Sequence, residues 1–279
     1  MARPVEGRQR GRRGEGRMAE EESAVGAGGG EVRRARRGSR DLAGRKRALV
    51  AALSLAAVLA PAQGAAQGAA DAIAGFERDG RGQGFAYTGL IASRPASGRY
   101  GLVRKLFVGR LSYSFRSGGR ELGGRQTMVL PAAGARLTEG DCTVTWSVGA
   151  DLRESRVERL RRPPLRSRDA GVSFQVEAYR WGRGFSSVSF IASFSTVDGF
   201  LWARLRAGHG IGRLGGHIRL SGGWEAVIMG NDAFNAAQSG LVVELADTST
   251  TLSVLVKAGL KSASVYDTWY WGLELYRRF

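Results

Sequence analysis

The chain has 279 residues, 43% hydrophobic and 24% charged, long enough for one large domain and too apolar to be disordered throughout. Its single cysteine, Cys142, excludes an intramolecular disulfide and a multi-cysteine zinc site, and two histidines, His209 and His217, leave little material for a histidine metal centre. Forty-two glycines follow no three-residue period, so a collagen-like rod is excluded as well.

The net charge of +17 would ordinarily raise nucleic-acid binding. The densest arginine clusters, however, fall between Arg8 and Arg17 and between Arg33 and Arg37, where aromatic and branched aliphatic residues are scarce. Such a stretch cannot bury enough apolar surface to offset chain entropy, so residues 1–43 read as a disordered basic extension. No nucleic-acid partner is expected.

Next comes Arg45-Lys46-Arg47, followed by the uncharged run Ala48–Ala60 and the small-residue site Ala60-Pro61-Ala62. A basic start, a short apolar core and an A-x-A-like site are the three parts of a secretory signal peptide, here residues 44–62. A spanning helix needs about 20 apolar residues, and Pro61 ends this run too early. A leader normally begins close to its basic residues, so the 43 preceding positions suggest a start codon set too far upstream, with Met18, or Val32 from a valine-type codon, as internal alternatives. Residues 63–83 read as a linker.

From residue 84 onward, apolar side chains recur at every second position, the period of a strand with two unlike faces. Val172, Phe174, Val176 and Ala178 alternate with Ser173, Gln175, Glu177 and Tyr179. Val188, Phe190, Ala192 and Phe194 alternate with serines and Ile191; Leu201, Ala203, Leu205 and Ala207 oppose Trp202, Arg204 and Arg206. Leu252 to Leu260 and Trp269 to Leu275 repeat the pattern. Residues 84–92, 125–130, 142–152, 213–221, 224–230 and 238–246 read as further strands. On another strand Phe107, Leu111, Tyr113 and Phe115 are expected on the apolar face, against Arg104 and Arg110, with Lys105 out of place. Turns are expected at Ser117-Gly118-Gly119, Gly182-Arg183-Gly184, Asp198-Gly199 and Gly222-Gly223, and a longer loop at Arg161-Arg162-Pro163-Pro164.

The polar face decides between all-β architectures. In a soluble sandwich it would meet water and carry abundant charge, whereas here it is mostly Ser, Gly, Gln and Tyr with occasional Arg or Glu. The apolar face persists over strands of about 9–11 residues, the length that crosses a bilayer. This is a barrel turned inside out, apolar toward lipid and polar toward a lumen. The terminal Phe279 after Trp271, Leu273 and Leu275 resembles the last strand of outer-membrane proteins, although Arg277 interrupts its apolar side. At roughly 17–20 residues per strand and turn, residues 84–279 form an antiparallel up-and-down barrel of about 10–12 strands, with a narrow or plugged lumen. Arg104, Arg110, Arg204, Arg206, Arg219, Glu177 and Glu274 are expected to pair inside it, because buried charges need partners.

One stretch is distinctive: Gly230-Asn231-Asp232, then Phe234 and Gln238, preceded by Trp224-Glu225 and, upstream, by Thr196 to Gly208. With Gly84 to Leu90, these segments resemble the cellulose biosynthesis protein BcsS family over roughly residues 84–279, although Trp224 stands where that pattern has proline. The resemblance implies an outer-membrane barrel encoded with cellulose synthase components. Partners would then be outer-membrane lipid and cellulose synthase or export components, or the glucan itself. Independently of the family, Asn231 and Asp232 suit a turn because their side chains bond nearby amides, and Gly230 relieves crowding.

No metal spacing, phosphate loop or nucleophile elbow occurs, and no cofactor or catalytic residue is assigned. His209 lies on the apolar parity near Ser221 and Glu225 in sequence, which admits a lipid-modifying enzyme as a lesser alternative; a small-solute pore is the other. Tyr179, Trp202, Arg204, Arg206, Tyr270 and Tyr276, all on the polar parity, are candidate lumen or glucan contacts, since aromatic rings pack on the apolar faces of sugars. The leading expectation is a non-enzymatic outer-membrane accessory of cellulose biosynthesis or secretion.

Overall fold

The structure, a computed structural model, describes residues 69–279 except 118–119, 160–161 and 183–185. The extension and leader expected within residues 1–62 lie outside the described residues. Twelve strands follow in chain order: β1 (Ala69–Asp79), β2 (Gly84–Ser97), β3 (Tyr100–Ser117), β4 (Arg120–Glu139), β5 (Cys142–Arg159), β6 (Arg162–Trp181), β7 (Ser187–Ser195), β8 (Leu201–Leu214), β9 (Ile218–Asn231), β10 (Phe234–Asp247), β11 (Leu252–Ala263) and β12 (Tyr266–Arg278). Every strand pairs antiparallel with its sequence neighbours, and β1 closes on β12 from Asp71↔Arg278 to Asp79↔Tyr270. Closure leaves no unpaired sheet edge, which is what lets strands cross hydrocarbon.

The alternation is inside out. Val148, Phe174, Ile228, Leu241 and Leu260 point outward and are 50–73% exposed. Glu225, Asp151, Thr145 and Tyr270 point inward and are 0–1% exposed. Trp269 and Trp271 face outward near one rim, Tyr100 and Trp146 near the other, as the aromatic belts of a membrane barrel do. The chain is therefore a bacterial outer-membrane barrel, its apolar belt set in lipid.

Several expectations about individual segments are corrected. Part of the expected linker is β1, whose first three outward positions, Ala70, Ala72 and Ala74, are too small to mark an apolar face before Phe76 is reached. On β3 the faces are reversed: Lys105 points inward to Glu177 at 2.6 Å, while Arg104 is outward and exposed beside Leu102 and Leu106. Arg110 shares that outward parity. Phe107, Leu111, Tyr113 and Phe115 are thus lumen-side residues. Gly222-Gly223 is not a turn but the interior of β9, where a Cβ on Gly223 would stand 2.2 Å from the Ala207 carbonyl oxygen. Pro163 and Pro164 belong to β6, at a register shift between Val157 and Arg159. A missing N–H costs the ladder nothing there.

The inward glycines have a packing role. Aromatic rings from a neighbouring strand lie over them: Tyr87 over Gly75, Phe107 over Gly89 and Tyr113 over Gly124. An added Cβ would come within 2.3–2.8 Å of those rings. Each bulky ring is accommodated in a curved wall by the missing side chain opposite it.

The two rims differ. At the rim where β1 starts and β12 ends, hairpins close tightly, as at Gly98-Arg99 and Gly140-Asp141, with φ of 53° and 55° at the glycines. At the opposite rim, residues 113–117 of β3 pair with β4 alone and residues 162–172 of β6 essentially with β5 alone. Strands β3–β6 therefore rise past their neighbours as a four-stranded sheet. Outer-membrane barrels keep short turns in the periplasm and long hairpins outside, so this sheet stands on the cell surface.

Candidate functional site in the lumen

Alternate residues of β1, β8, β9, β11 and β12 bring six charges together inside the barrel. On β8, Arg204 and Arg206 are two apart and share the inward face. Arg206 donates to both oxygens of Glu274 on β12, at 3.2 Å from Nη1 to Oε2 and 3.0 Å from Nη2 to Oε1, while Arg204 reaches Oε1 at 2.9 Å. The Nε of Arg206 donates to Glu225 on β9 at 3.1 Å. From β11, Lys257 lies 3.1 Å from Glu225, 2.9 Å from Glu77 of β1 and 3.5 Å from Glu274. Three cations face three carboxylates.

The surrounding groups complete this cluster. Gln238 of β10, 4% exposed, donates to Glu77 Oε1 at 2.6 Å. The Arg204 guanidinium lies 5.6 Å from the Trp202 ring and the Lys257 ammonium 5.9 Å from that of Tyr270, cation–π distances that favour the positive charge in a site shielded from water. Desolvating six charges is costly, and such a cluster persists only when each is matched by opposite charge and hydrogen bonds. A water-filled channel would leave these groups hydrated; instead the side chains of Glu225, Lys257, Glu274 and Arg204 are 0–9% exposed, with Arg206 at 16% and Glu77 at 22%.

Other braces lie above and below. Lys105 and Glu177 span β3 to β6 with side chains 0% and 7% exposed. Toward the cell-surface rim, Asp151 accepts from Arg153 and from the Ser195 hydroxyl, and Arg153 continues to Asp198 at 2.8 Å. Lys261 and Tyr266 meet Asp79 at 2.8 and 2.9 Å on that same side. At the periplasmic rim, Asp71 accepts from Tyr276 at 2.7 Å and Arg278 at 3.0 Å.

The family-like segment divides between two places. Asn231 Oδ1 accepts from the amides of Ala233 and Phe234, both at 3.0 Å, closing the two-residue turn that Asp232 begins. A Cβ on Gly230 would meet Asn235 Oδ1 at 2.2 Å, so the glycine permits a tight crossing. Phe234 starts β10 at the rim, and Gln238 lies four residues deeper on the same face, in the charge cluster. Of the candidate sugar contacts, Arg204, Arg206 and Tyr270 sit in the cluster, Tyr179 and Trp202 flank it, and Tyr276 braces the periplasmic rim. Glu77, Glu225 and Lys257 were missed as a group. Glu77 falls in the stretch expected to be a linker, Glu225 and Lys257 each sit between apolar neighbours, and only closure of the barrel places the three together.

No triad assembles around His209. It is exposed on the outer face with Nδ1 2.8 Å from Ser186 Oγ, whereas Ser221 and Glu225 are buried in the lumen. Cys142 is a free, exposed cysteine at the start of β5. Among the described residues no group of three or more metal-ligating side chains occurs.

A family model described as cellulose biosynthesis protein BcsS matches residues 74–279, from within β1 to the last residue. The chain belongs to the BcsS family. The match covers β2–β12 whole and the second half of β1, so family and fold coincide. No curated protein sequence matches the chain. Among solved structures, the β domain of the Bordetella autotransporter BrkA is 12% identical, covering 76% of this chain and 99% of its own, at a TM-score of 0.49. An outer-membrane channel from Pseudomonas putida F1 is 11% identical over 79% of this chain and 100% of its own, at 0.48. A bacterial polysaccharide outer-membrane secretin, 11% identical over 76% and 98%, scores 0.32. These likenesses carry no functional argument; the barrel assignment rests on the strand register and the outward apolar face.

Proposed function

We propose that this BcsS-family barrel is a non-enzymatic accessory of cellulose biosynthesis or secretion, acting through contacts at its rims and projecting sheet rather than by conducting solute. One observation carries the reading: the neutral six-charge cluster of Glu77, Arg204, Arg206, Glu225, Lys257 and Glu274 cross-links the interior in a buried state. A pore needs hydrated, separated charges along its wall, and a catalyst needs a nucleophile beside a base in an accessible pocket. This interior has cations and carboxylates that pair with one another, with Arg204 Nε, Gln238 Oε1 and the Tyr270 hydroxyl left without a hydrogen-bond partner among the described residues. In this reading Arg204, Arg206 and Tyr270 brace the lumen, and the half-buried Tyr179 and Trp202 are the candidates left for glucan contact.

The reading has two tests. Purified protein in planar bilayers should show no steady conductance; a stable open channel would favour the small-solute pore instead. Deleting the gene in a cellulose-producing host should lower secreted cellulose, and re-expression should restore it. Unchanged cellulose secretion would reject the accessory role.

A further inference from the structure

On the outward face of the projecting sheet, three arginines stand abreast. The register pairs Arg125 of β4 with Arg156 of β5, and Arg156 with Arg166 of β6. Directly opposed residues have Cβ atoms about 4.5–5.5 Å apart, and like charges so placed destabilise a sheet. All three are exposed, and among the described residues none has an ion pair. Of the acids sharing this face, Glu154 lies 3.8 Å from Arg168, Glu158 accepts from the Gly123 amide at 2.9 Å, and Glu121 stands four residues beyond Arg125 on β4, opposite Arg116 in the register.

Their height is the second observation. Following outward positions up each strand gives Val129, Thr127, Arg125 on β4; Leu152, Glu154, Arg156 on β5; and Val172, Ala170, Arg168, Arg166 on β6. The row thus begins two outward positions above the lipid-facing belt on β4 and β5 and three above it on β6. At about 3.3 Å per residue this is on the order of 13 Å along the strand on β4 and β5, or about 10 Å of height at a strand tilt of about 40°, just outside the hydrocarbon and within reach of the headgroup layer for a long arginine side chain. The face is continuous with the belt already in lipid, so the molecules beside it are those of the surrounding leaflet.

We propose that Arg125, Arg156 and Arg166 bind the phosphorylated headgroup of an outer-leaflet glycolipid. Guanidinium groups suit this ligand because their planar forks donate two hydrogen bonds to phosphate oxygens. A bound headgroup bearing two phosphates supplies the negative charge that the sheet lacks, relieving repulsion along the row. This assignment rests on the membrane position of the barrel and not on any role in cellulose biosynthesis.

The test uses the full chain purified in neutral detergent, with bisphosphorylated lipid A in mixed micelles as the probe and binding read by titration or native mass spectrometry. Wild type should bind saturably. Single Arg→Ser variants should each weaken binding by about fivefold, the scale of one cation at a charged membrane surface, and the triple variant by about a hundredfold. R156K, which keeps the charge but not the two-pronged donor, should weaken binding less than R156S does. Dephosphorylated lipid A should bind as weakly as the triple variant does to the native lipid. Unchanged heat-modifiable gel mobility establishes that each variant is folded, and the outward, exposed positions leave the lumen braces intact. Equal binding by wild type and triple variant would overturn the proposal. So would preferential binding of inorganic phosphate or of an acidic polysaccharide such as polygalacturonate over the phosphorylated lipid.

Discussion

Arginine does opposite work in two parts of this molecule. In the lumen, Arg204 and Arg206 are enclosed by Glu225 and Glu274, and with Lys257 and Glu77 the charges balance. On the projecting sheet, Arg125, Arg156 and Arg166 face outward beside one another, with their positive charge uncompensated by the described side chains. The enclosed set stabilises only as a complete group, and removing one member leaves an unmatched charge in a low-dielectric interior. The outward set has water as its default partner, so losing a member costs the fold little. What distinguishes them is closure of the barrel, which turns the same residue type from a brace into an exposed surface.

The largest expected effect comes from breaking the enclosed set. Glu225→Ala removes the carboxylate facing Arg206 and Lys257, and should destabilise the barrel by on the order of 3–5 kcal/mol, measured by urea unfolding in micelles. If the loss is under about 1 kcal/mol, the cluster is hydrated and the lumen is open. The Lys105–Glu177 pair sharpens the point. Lys105→Met alone should cost about 3 kcal/mol, whereas Lys105→Met with Glu177→Leu should come back close to wild type, since a well-packed apolar pair can replace a buried ion pair. A double variant no better than the single would mean the cost is packing rather than charge.

The legibility of these regions in the sequence also differs. On β6, β7, β8, β11 and β12 strict alternation marks both faces, and the inward residues found there are those expected. On β3 the same rule misleads, because Phe107, Leu111 and Tyr113 look lipid-facing when read alone. Lys105 decides its orientation through Glu177, 72 positions away in the chain. Such a partner is invisible to a local pattern. β1 escapes notice because alanine is too small to signal a face, and the projection of β3–β6 leaves no trace in composition, since paired strands above the membrane look like paired strands within it. Asn231 is legible as a turn residue from its own chemistry. Gln238 is not legible as a lumen residue until Glu77 is brought beside it.

Smaller effects test the wall between the two regions. Gly124→Ala places a Cβ within 2.3 Å of the Tyr113 ring and should cost about 1–3 kcal/mol through overpacking. Combining it with Tyr113→Ala should recover part of that loss; no recovery would show that the clash is with backbone. Asn231→Ala removes the acceptor for two turn amides and should cost about 0.5–1.5 kcal/mol in the same unfolding assay. Smallest of all, Arg156→Ser in lipid-free detergent should change stability by no more than about 0.5 kcal/mol, in contrast to its effect on lipid binding.

Single-site labelling tests the inside-out assignment most directly. With Cys142 replaced by serine, a nitroxide is placed in turn at Val148, Phe174 and Leu241 and at the adjoining Ser147, Gln175 and Val242, and the barrel is reconstituted in bilayers. Collisions with oxygen, which concentrates in hydrocarbon, should be frequent at the first three positions and rare at the second three, with a water-soluble nickel chelate scarcely reaching the first. Equal access at both sets, or oxygen favouring Ser147, Gln175 and Val242, would contradict the account.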